Sequence, residues 1–200
     1  HKFEGQLNTG AMMQALVRKA MAMGVLIING THVKRFNDLG ARVWVQTDRF
    51  ECTTRKLCVA TNGFAQSLLN EPVLPARAQV LVTRPIKNLL IKGCFHFDEG
   101  YYYFRNIDGR ILFGGGRNMD PEGETTQKLN TTVPIQQKLE SLLKTVVLPN
   151  TSIEIDMRWS GIMGVGQQKR PIVKELSDNV MCGVRLGGMG IAIGSSVGKK

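Results

Sequence analysis

Asn179-Val-Met-Cys-Gly-Val-Arg-Leu-Gly-Gly-Met-Gly-Ile-Ala-Ile-Gly-Ser-Ser-Val-Gly198 reads as three pieces in succession. A short buried strand comes first, then a turn carrying Gly187, Gly188 and Gly190, then the first turn of a helix built from small residues. Glycines at a strand-to-helix joint let the backbone approach a ligand closely, and the free N–H groups of the helix start face whatever is bound. A tight turn with nothing bound has the same pattern, so the surrounding chain has to decide between them.

The bulk of the chain sets bounds. Two hundred residues, 42% hydrophobic and 21% charged, describe an ordinary folded protein of one or two domains. No apolar run reaches membrane-spanning length; Val25-Leu-Ile-Ile28 is a strand's worth. His1-Lys2-Phe3-Glu4 has no apolar segment behind it, so no signal peptide is expected. The formal charge of +10 raises a nucleic-acid reading, but the Lys and Arg pairs are scattered at element ends, as on an ordinary solvated surface. Cys52, Cys58, Cys94 and Cys182 fall in strand-like runs without a C-x-x-C pair, which points to buried free thiols and a reducing, cytoplasmic location. The three histidines are too far apart in sequence to suggest a metal site, and no metal is expected.

Upstream of the opening stretch, Asn8 or Thr9 can cap a helix running to about Met23, with Met12, Leu16, Ala20 and Met23 on one face and Gly24 as the stop. Val25–Ile28 then reads as an apolar strand. Asn37–Gly40 makes a hairpin between Thr31–Phe36 and Arg42–Thr47, and a third strand carries Phe50 and Cys52. Lys56–Thr61 is a further buried strand, and Asn62-Gly63 leads into a helix-like segment at 64–69. Pro72 and Pro75 mark a boundary beyond which the texture is antiparallel. Ala78, Val80 and Val82 alternate with Arg77, Gln79, Leu81 and Thr83, and a meander follows over 94–97, 101–105 and 110–113. An amphipathic helix places Ile135, Leu139, Leu142, Leu143 and Val146 on one face. In the last strand of this part Ile153, Ile155, Met157 and Trp159 face one way, which reads as a core face. The fold class is therefore mixed α/β and α+β. Residues 1–72 and 165–200 form part of an α/β, Rossmann-like domain, and 73–164 form a mainly antiparallel sheet domain with a packed helix.

These pieces, taken in order, resemble the D-amino-acid oxidase-like family of FAD-dependent amine and amino-acid oxidoreductases. Leu57-Cys-Val-Ala-Thr-Asn-Gly63 resembles the family's V-x-A-T-G loop with one residue inserted. Leu74-Pro-Ala-Arg-Ala-Gln-Val80 is similar to P-x-R-G-Q. Tyr101–Arg105 with Asp108-Gly109 and Leu112–Gly115 is similar to Y-x-x-P-R…D-G…L-x-G-G. Trp159-Ser-Gly161 with Pro171-Ile172 resembles W-x-G…P-x-I-G, and Gly187-Gly-Met-Gly190 resembles the G-x-x-G-x-G that closes the flavin site.

The resemblance implies a set of roles. Gly188, Met189, Gly190 and Ile191 would offer N–H groups to the N1–C2=O end of the flavin; Ala60, Thr61 and Gly63 would pass beside pyrophosphate and ribitol; Val33 would meet the adenine through its main chain. Tyr101, Tyr103 and Arg105, alternating on one strand, would line the substrate cavity. A neutral amine or amino acid would lose hydride to flavin and leave as an imine. The segment 163–168 has no Cys that could tether the flavin, which implies non-covalent FAD. Where many amino-acid oxidases of the family carry an Arg for the substrate carboxylate, this chain has Ile162-Met163, which implies an amine-like substrate. The family's N-terminal strand, G-x-G-x-x-G turn and ribose-binding acidic residue have no counterpart, and the chain reads as a piece that begins after them. By itself such a piece is expected to be inactive, with its flavin half-site empty; its natural partner is the missing N-terminal part, and homo-oligomerisation stays open. A non-catalytic binding module that keeps the fold, and a basic nucleic-acid-binding domain, are the alternative readings.

Overall fold

The computed structural model describes Gly5–Lys199; the N-terminal tetrapeptide, read above for a signal peptide, lies outside the described residues. The chain divides into two compact units; it passes from one to the other after Gln6 and again within two strands, β5 (Leu74–Thr83) and β9 (Ile155–Val165). One unit holds Leu7–Pro75 and the residues from Met163 on, and the other holds Gly5, Gln6 and Ala76–Ile162.

In the first of these, the α/β unit, α1 (Thr9–Ala22) is capped by Asn8, whose side chain accepts from the Ala11 N–H at 3.1 Å. The strands β1 (Val33–Asp38), β2 (Val43–Thr47) and β3 (Glu51–Thr54) form the expected antiparallel meander. A second sheet has the order β10 (Ile172–Ser177), β11 (Val180–Val184), β4 (Leu57–Val59), with β11 parallel to β4. A 3₁₀ turn (Asn62–Ser67) follows β4, and α3 (Gly190–Gly198) follows β11. The core is the apolar side of these strands: Val43, Val45, Val59, Ala65, Leu69, Val73, Val180, Cys182 and Val184. Asp38, at the end of β1, holds the two sheets together: its carboxylate accepts from Ser177 Oγ at 2.5 Å, Asn179 N at 3.1 Å and Asn179 Nδ2 at 3.0 Å. Those donors, the Asn179 side chain first, lower its pKa to about 2.

In the sheet unit five strands run in the order β6 (Cys94–Phe97), β7 (Tyr102–Ile107), β8 (Arg110–Gly115), β5, β9. The helix α2 (Val133–Leu142) covers one face over Leu81, Tyr102, Ile111 and Phe113. Phe95 stacks on Phe104 at 5.0 Å and Phe97 on Tyr102 at 5.3 Å, so the β6–β7 hairpin is joined by cross-strand aromatic pairs. β5 lies between β8 and β9, so both of its edges are paired, and the polar members of its alternation, Arg77, Gln79 and Thr83, are buried with the apolar ones. Glu124 meets them there, 1% exposed. It accepts from Arg77 Nε at 3.0 Å, Arg77 Nη2 at 2.5 Å and Gln79 Nε2 at 3.0 Å. The Glu124 bonds hold the Arg77 pKa above its already high ordinary value. Gln79 goes on to Thr132 and Gln136, and Gln136 accepts from Arg158, which also pairs with Glu140.

Several expectations are corrected. Val25–Ile28 is not a strand: it pairs with no neighbour among the described residues, and Leu26 is 82% exposed. An apolar run becomes a strand only where another chain segment completes its ladder. For the same reason the apolar stripe of α1 buries no residue, although the helix itself forms as read. Of the four cysteines only Cys182 is buried; Cys52, Cys58 and Cys94 sit on the edge strands β3, β4 and β6 and are exposed. The second helix ends in a π turn (Leu143–Val147), in which Leu148 N donates to Leu143 O at 2.8 Å. The wider turn shifts the register, so Val147 points into the core and Val146 out. Met157 and Trp159 are exposed rather than core. Both lie on β9, an edge strand of the sheet.

Candidate functional site

The loop between β11 and α3 takes its shape from main-chain bonds. Leu186 N donates to Asn62 Oδ1 at 3.0 Å, Gly187 N to Gly164 O at 2.9 Å, and Met189 N to Leu186 O at 2.9 Å. Gly187 and Gly188 have φ of +60° and +81°, a region that costs a side chain about 1–2 kcal/mol. A Cβ on Gly188 would also stand 3.2 Å from Met163 Sδ. Ala192 N and Ile193 N bond to Met189 O. Among the described residues no acceptor takes the N–H of Gly188, Gly190 or Ile191, at the positive end of α3. Of the four residues expected to donate here, Met189 alone has its N–H committed inside the loop.

The β4 loop stands against this one through a residue that the sequence reading treated as an insertion. Asn62, with φ of +44°, turns its carboxamide onto Leu186 N. Asn tolerates this left-handed backbone better than most side chains. Beside it, Thr61 Oγ1 is buried without a partner among the described residues, a costly state unless a ligand or water supplies one. Ala60 is exposed, and Gly63 is buried in the 3₁₀ turn. Gly164 is the third member of the junction: a Cβ there would lie 2.6 Å from Asn62 Oδ1. Val33 is further along the unit, its side chain packed on the core opposite Thr47. It begins β1, an edge strand, so one side of its main chain has no strand neighbour.

The three expected substrate residues are placed differently from one another. Tyr101 lies in the turn before β7, its N–H bonded to Asp98 O and its carbonyl to Gly116 N, so it is not part of the strand alternation. Tyr103 and Arg105 share the face of β7 opposite Tyr102 and Phe104, the side away from α2. Tyr103 lies over Gly114, where a Cβ would come within 2.8 Å of its ring, and desolvation raises its phenol pKa. The register sets His96 of β6 directly across from Tyr103. His96, Met157 and Trp159 were not among the expected substrate residues. Only strand pairing brings the first near Tyr103, and the other two carry the same alternation that a core face would.

Comparison with known proteins matches residues 2–200 to the model of the FAD dependent oxidoreductase family, DAO. The chain belongs to that family. FAD is the cofactor of its members, and the mixed α/β architecture with antiparallel sheets is theirs. Among solved structures, the chain is similar to L-proline dehydrogenase from P. horikoshii, with a TM-score of 0.73 at 20% identity over 94% of this chain and 52% of that one. Iminodiacetate oxidase from Chelativorans sp. BNC1 gives 0.76 at 18% identity, covering 94% and 52%. Glycine oxidase from Geobacillus kaustophilus gives 0.77 at 16% identity, covering 93% and 50%. The chain thus spans about half the length of the solved structures it matches. No curated protein sequence matches it. Among the described residues no helix is long and apolar enough to cross a membrane.

Proposed function

We propose that this chain supplies the flavin-ring end of a non-covalent FAD site and the substrate-facing sheet of an enzyme that oxidises the C–N bond of an amine or amino acid. The observation that carries the reading is the junction of Asn62, Gly164 and the 185–190 loop. It leaves the N–H groups of Gly188, Gly190 and Ile191 free and the Thr61 hydroxyl buried without a partner. These residues fit the group: donors at a helix start suit the electron-rich carbonyl end of a flavin, and a buried hydroxyl suits a polar chain such as ribitol. FAD, when bound, supplies the two-electron acceptor for the C–H next to nitrogen.

The protein's own part is placement. Glycines 187 and 188 bring the donors close by having no side chains, and the bond from Leu186 to Asn62 holds them in position before any ligand arrives. Tyr103 and Arg105, on the face of β7 away from α2, would meet the substrate there. Ile162 and Met163, in the place where the resembling amino-acid oxidases carry a carboxylate-binding Arg, favour a substrate without a free α-carboxylate at that point. The full-length protein should show flavin absorbance that bleaches when an amine substrate is added without oxygen. A colourless full-length protein that takes up no added FAD would overturn the proposal.

A further inference from the structure

Within the α/β unit a cleft of about 510 Å³ is lined by Glu71, Pro72, Leu74, Gly166, Gln168 and Arg185, with Gln167 and Ile172 completing its wall. Arg185 is the unusual member. It sits at the end of β11 with φ of +61°, a left-handed conformation that costs a long side chain free energy and persists only where the surroundings impose it. Its side chain is buried, the residue being 9% exposed. Nε donates to Arg170 O at 2.9 Å and Nη1 to Pro72 O at 3.3 Å. Gly166 makes room for it, since a Cβ there would stand 2.8 Å from Arg185 Cδ.

The charge of this guanidinium is not compensated. Among the described residues no carboxylate forms an ion pair with it. Glu71, the acid of the cleft, is committed to Lys174 at 2.7 Å, a bond that raises the lysine's pKa. That pair is neutral as a whole, and Lys169 and Arg170 beside Gln168 add further positive charge. A buried, unpaired cation is expensive, and a guanidinium held by two carbonyls still has one Nη1 hydrogen and both Nη2 hydrogens to donate. Those hydrogens form the end of the fork, which matches the two oxygens of a carboxylate. The rest of the wall is Pro72, Leu74 and Ile172 with two side-chain amides, which suits a short apolar tail better than a second charge.

We propose that this cleft is a binding site for a small monocarboxylate, clamped end-on by Arg185. Nothing in the argument depends on the flavin reading, although both sites share the 185–190 loop, so carboxylate binding is a local probe of that loop. The test is calorimetric titration of the protein with butyrate, n-butylamine and inorganic phosphate at fixed ionic strength. Butyrate should bind with a millimolar or lower Kd and n-butylamine should not bind. Phosphate should neither bind more tightly nor displace butyrate. Arg185→Gly suits the left-handed backbone, should fold as judged by circular dichroism, and should weaken butyrate at least tenfold. In the unsubstituted protein, the Arg185 Nε–H resonance, assigned by its absence in Arg185→Lys, should move on adding butyrate. No butyrate binding, a preference for phosphate, unchanged affinity in a folded Arg185→Gly, or an unmoved Arg185 resonance at saturating butyrate would each overturn the site.

Discussion

Glu124→Ala should be among the most damaging single substitutions in the sheet unit. The wild-type carboxylate is 1% exposed and takes three donors, two from Arg77 and one from Gln79. Removing it leaves the Arg77 guanidinium, 4% exposed, with neutral partners only: Gly123 O, Lys128 O and Asn130 Oδ1. Breaking a buried ion pair from one side costs about 3–5 kcal/mol, because the surviving charge stays out of water without compensation. That is a large share of the roughly 5–15 kcal/mol by which a domain is stable. Arg77→Met combined with Glu124→Leu removes both charges and fills the space, and should cost less than Glu124→Ala alone. Urea unfolding, read by Trp159 fluorescence in a Trp44→Phe background so that only the sheet unit reports, measures all three proteins. If Glu124→Ala shifts the unfolding free energy by less than about 1 kcal/mol, the pair is not as buried as the structure places it. A double substitution as costly as Glu124→Ala would also refute the reasoning, since it would show that the unpaired charge is not what destabilises the single variant.

Asn62→Gly should separate stability from the site. Glycine accepts the left-handed backbone at no cost but loses the bond to Leu186 N, two effects of about 1 kcal/mol that oppose each other. Thermal unfolding should therefore be nearly unchanged, while the full-length protein should lose FAD affinity by about tenfold, the equivalent of ~1.4 kcal/mol; unchanged FAD affinity would deny Asn62 a positioning role. Asp38→Asn should alter the acid limb of the stability profile. The folded-state pKa of about 2 lies below the ordinary 3.8, so the carboxylate's stabilisation is present above about pH 4 and is lost as pH falls toward 2. Melting temperatures measured across that window should fall more steeply for the wild type than for Asp38→Asn, and parallel slopes would mean that Asp38 does not join the two sheets.

Most of the elements were legible because each has a local cause. Asn106-Ile-Asp-Gly109 reads as a turn. The structure gives Ile107 opposite Arg110, with Asp108 and Gly109 at positive φ, the conformation such hairpins need. The Asn8 cap and the Asn37–Gly40 hairpin followed in the same way. Misreadings arose where a residue's surroundings come from far along the chain. Trp159 alternates with Met157 as a core face would, yet both are exposed on the edge strand β9, where no further strand or helix covers them among the described residues. Val146 has correct helical spacing, but the π turn after Leu142 adds a residue that no periodicity announces. Arg77 and Gln79 look like the solvent side of a strand, and are buried because Glu124 and Thr132 are brought over them from far along the chain. In the candidate site the glycine turn was legible and its partners were not. His96 meets Tyr103 only through the β6–β7 register.

Asn62 shows why the loop after β11 needs more than its own glycines. A strand-to-helix turn with two left-handed residues has many ways to open, and its free N–H groups would point in as many directions. Here the turn is held at two adjacent points by segments far away in sequence, Leu186 by Asn62 and Gly187 by Gly164. The two holds depend on each other. Gly164 can offer its carbonyl and still admit the Asn62 carboxamide only because it has no Cβ, which would meet that oxygen at 2.6 Å and the Asn62 carbonyl carbon at 3.0 Å. A residue inserted into the β4 loop is therefore not a defect in the pattern around Thr61: it is the side chain that reaches across, and the missing Cβ of Gly164 is its complement.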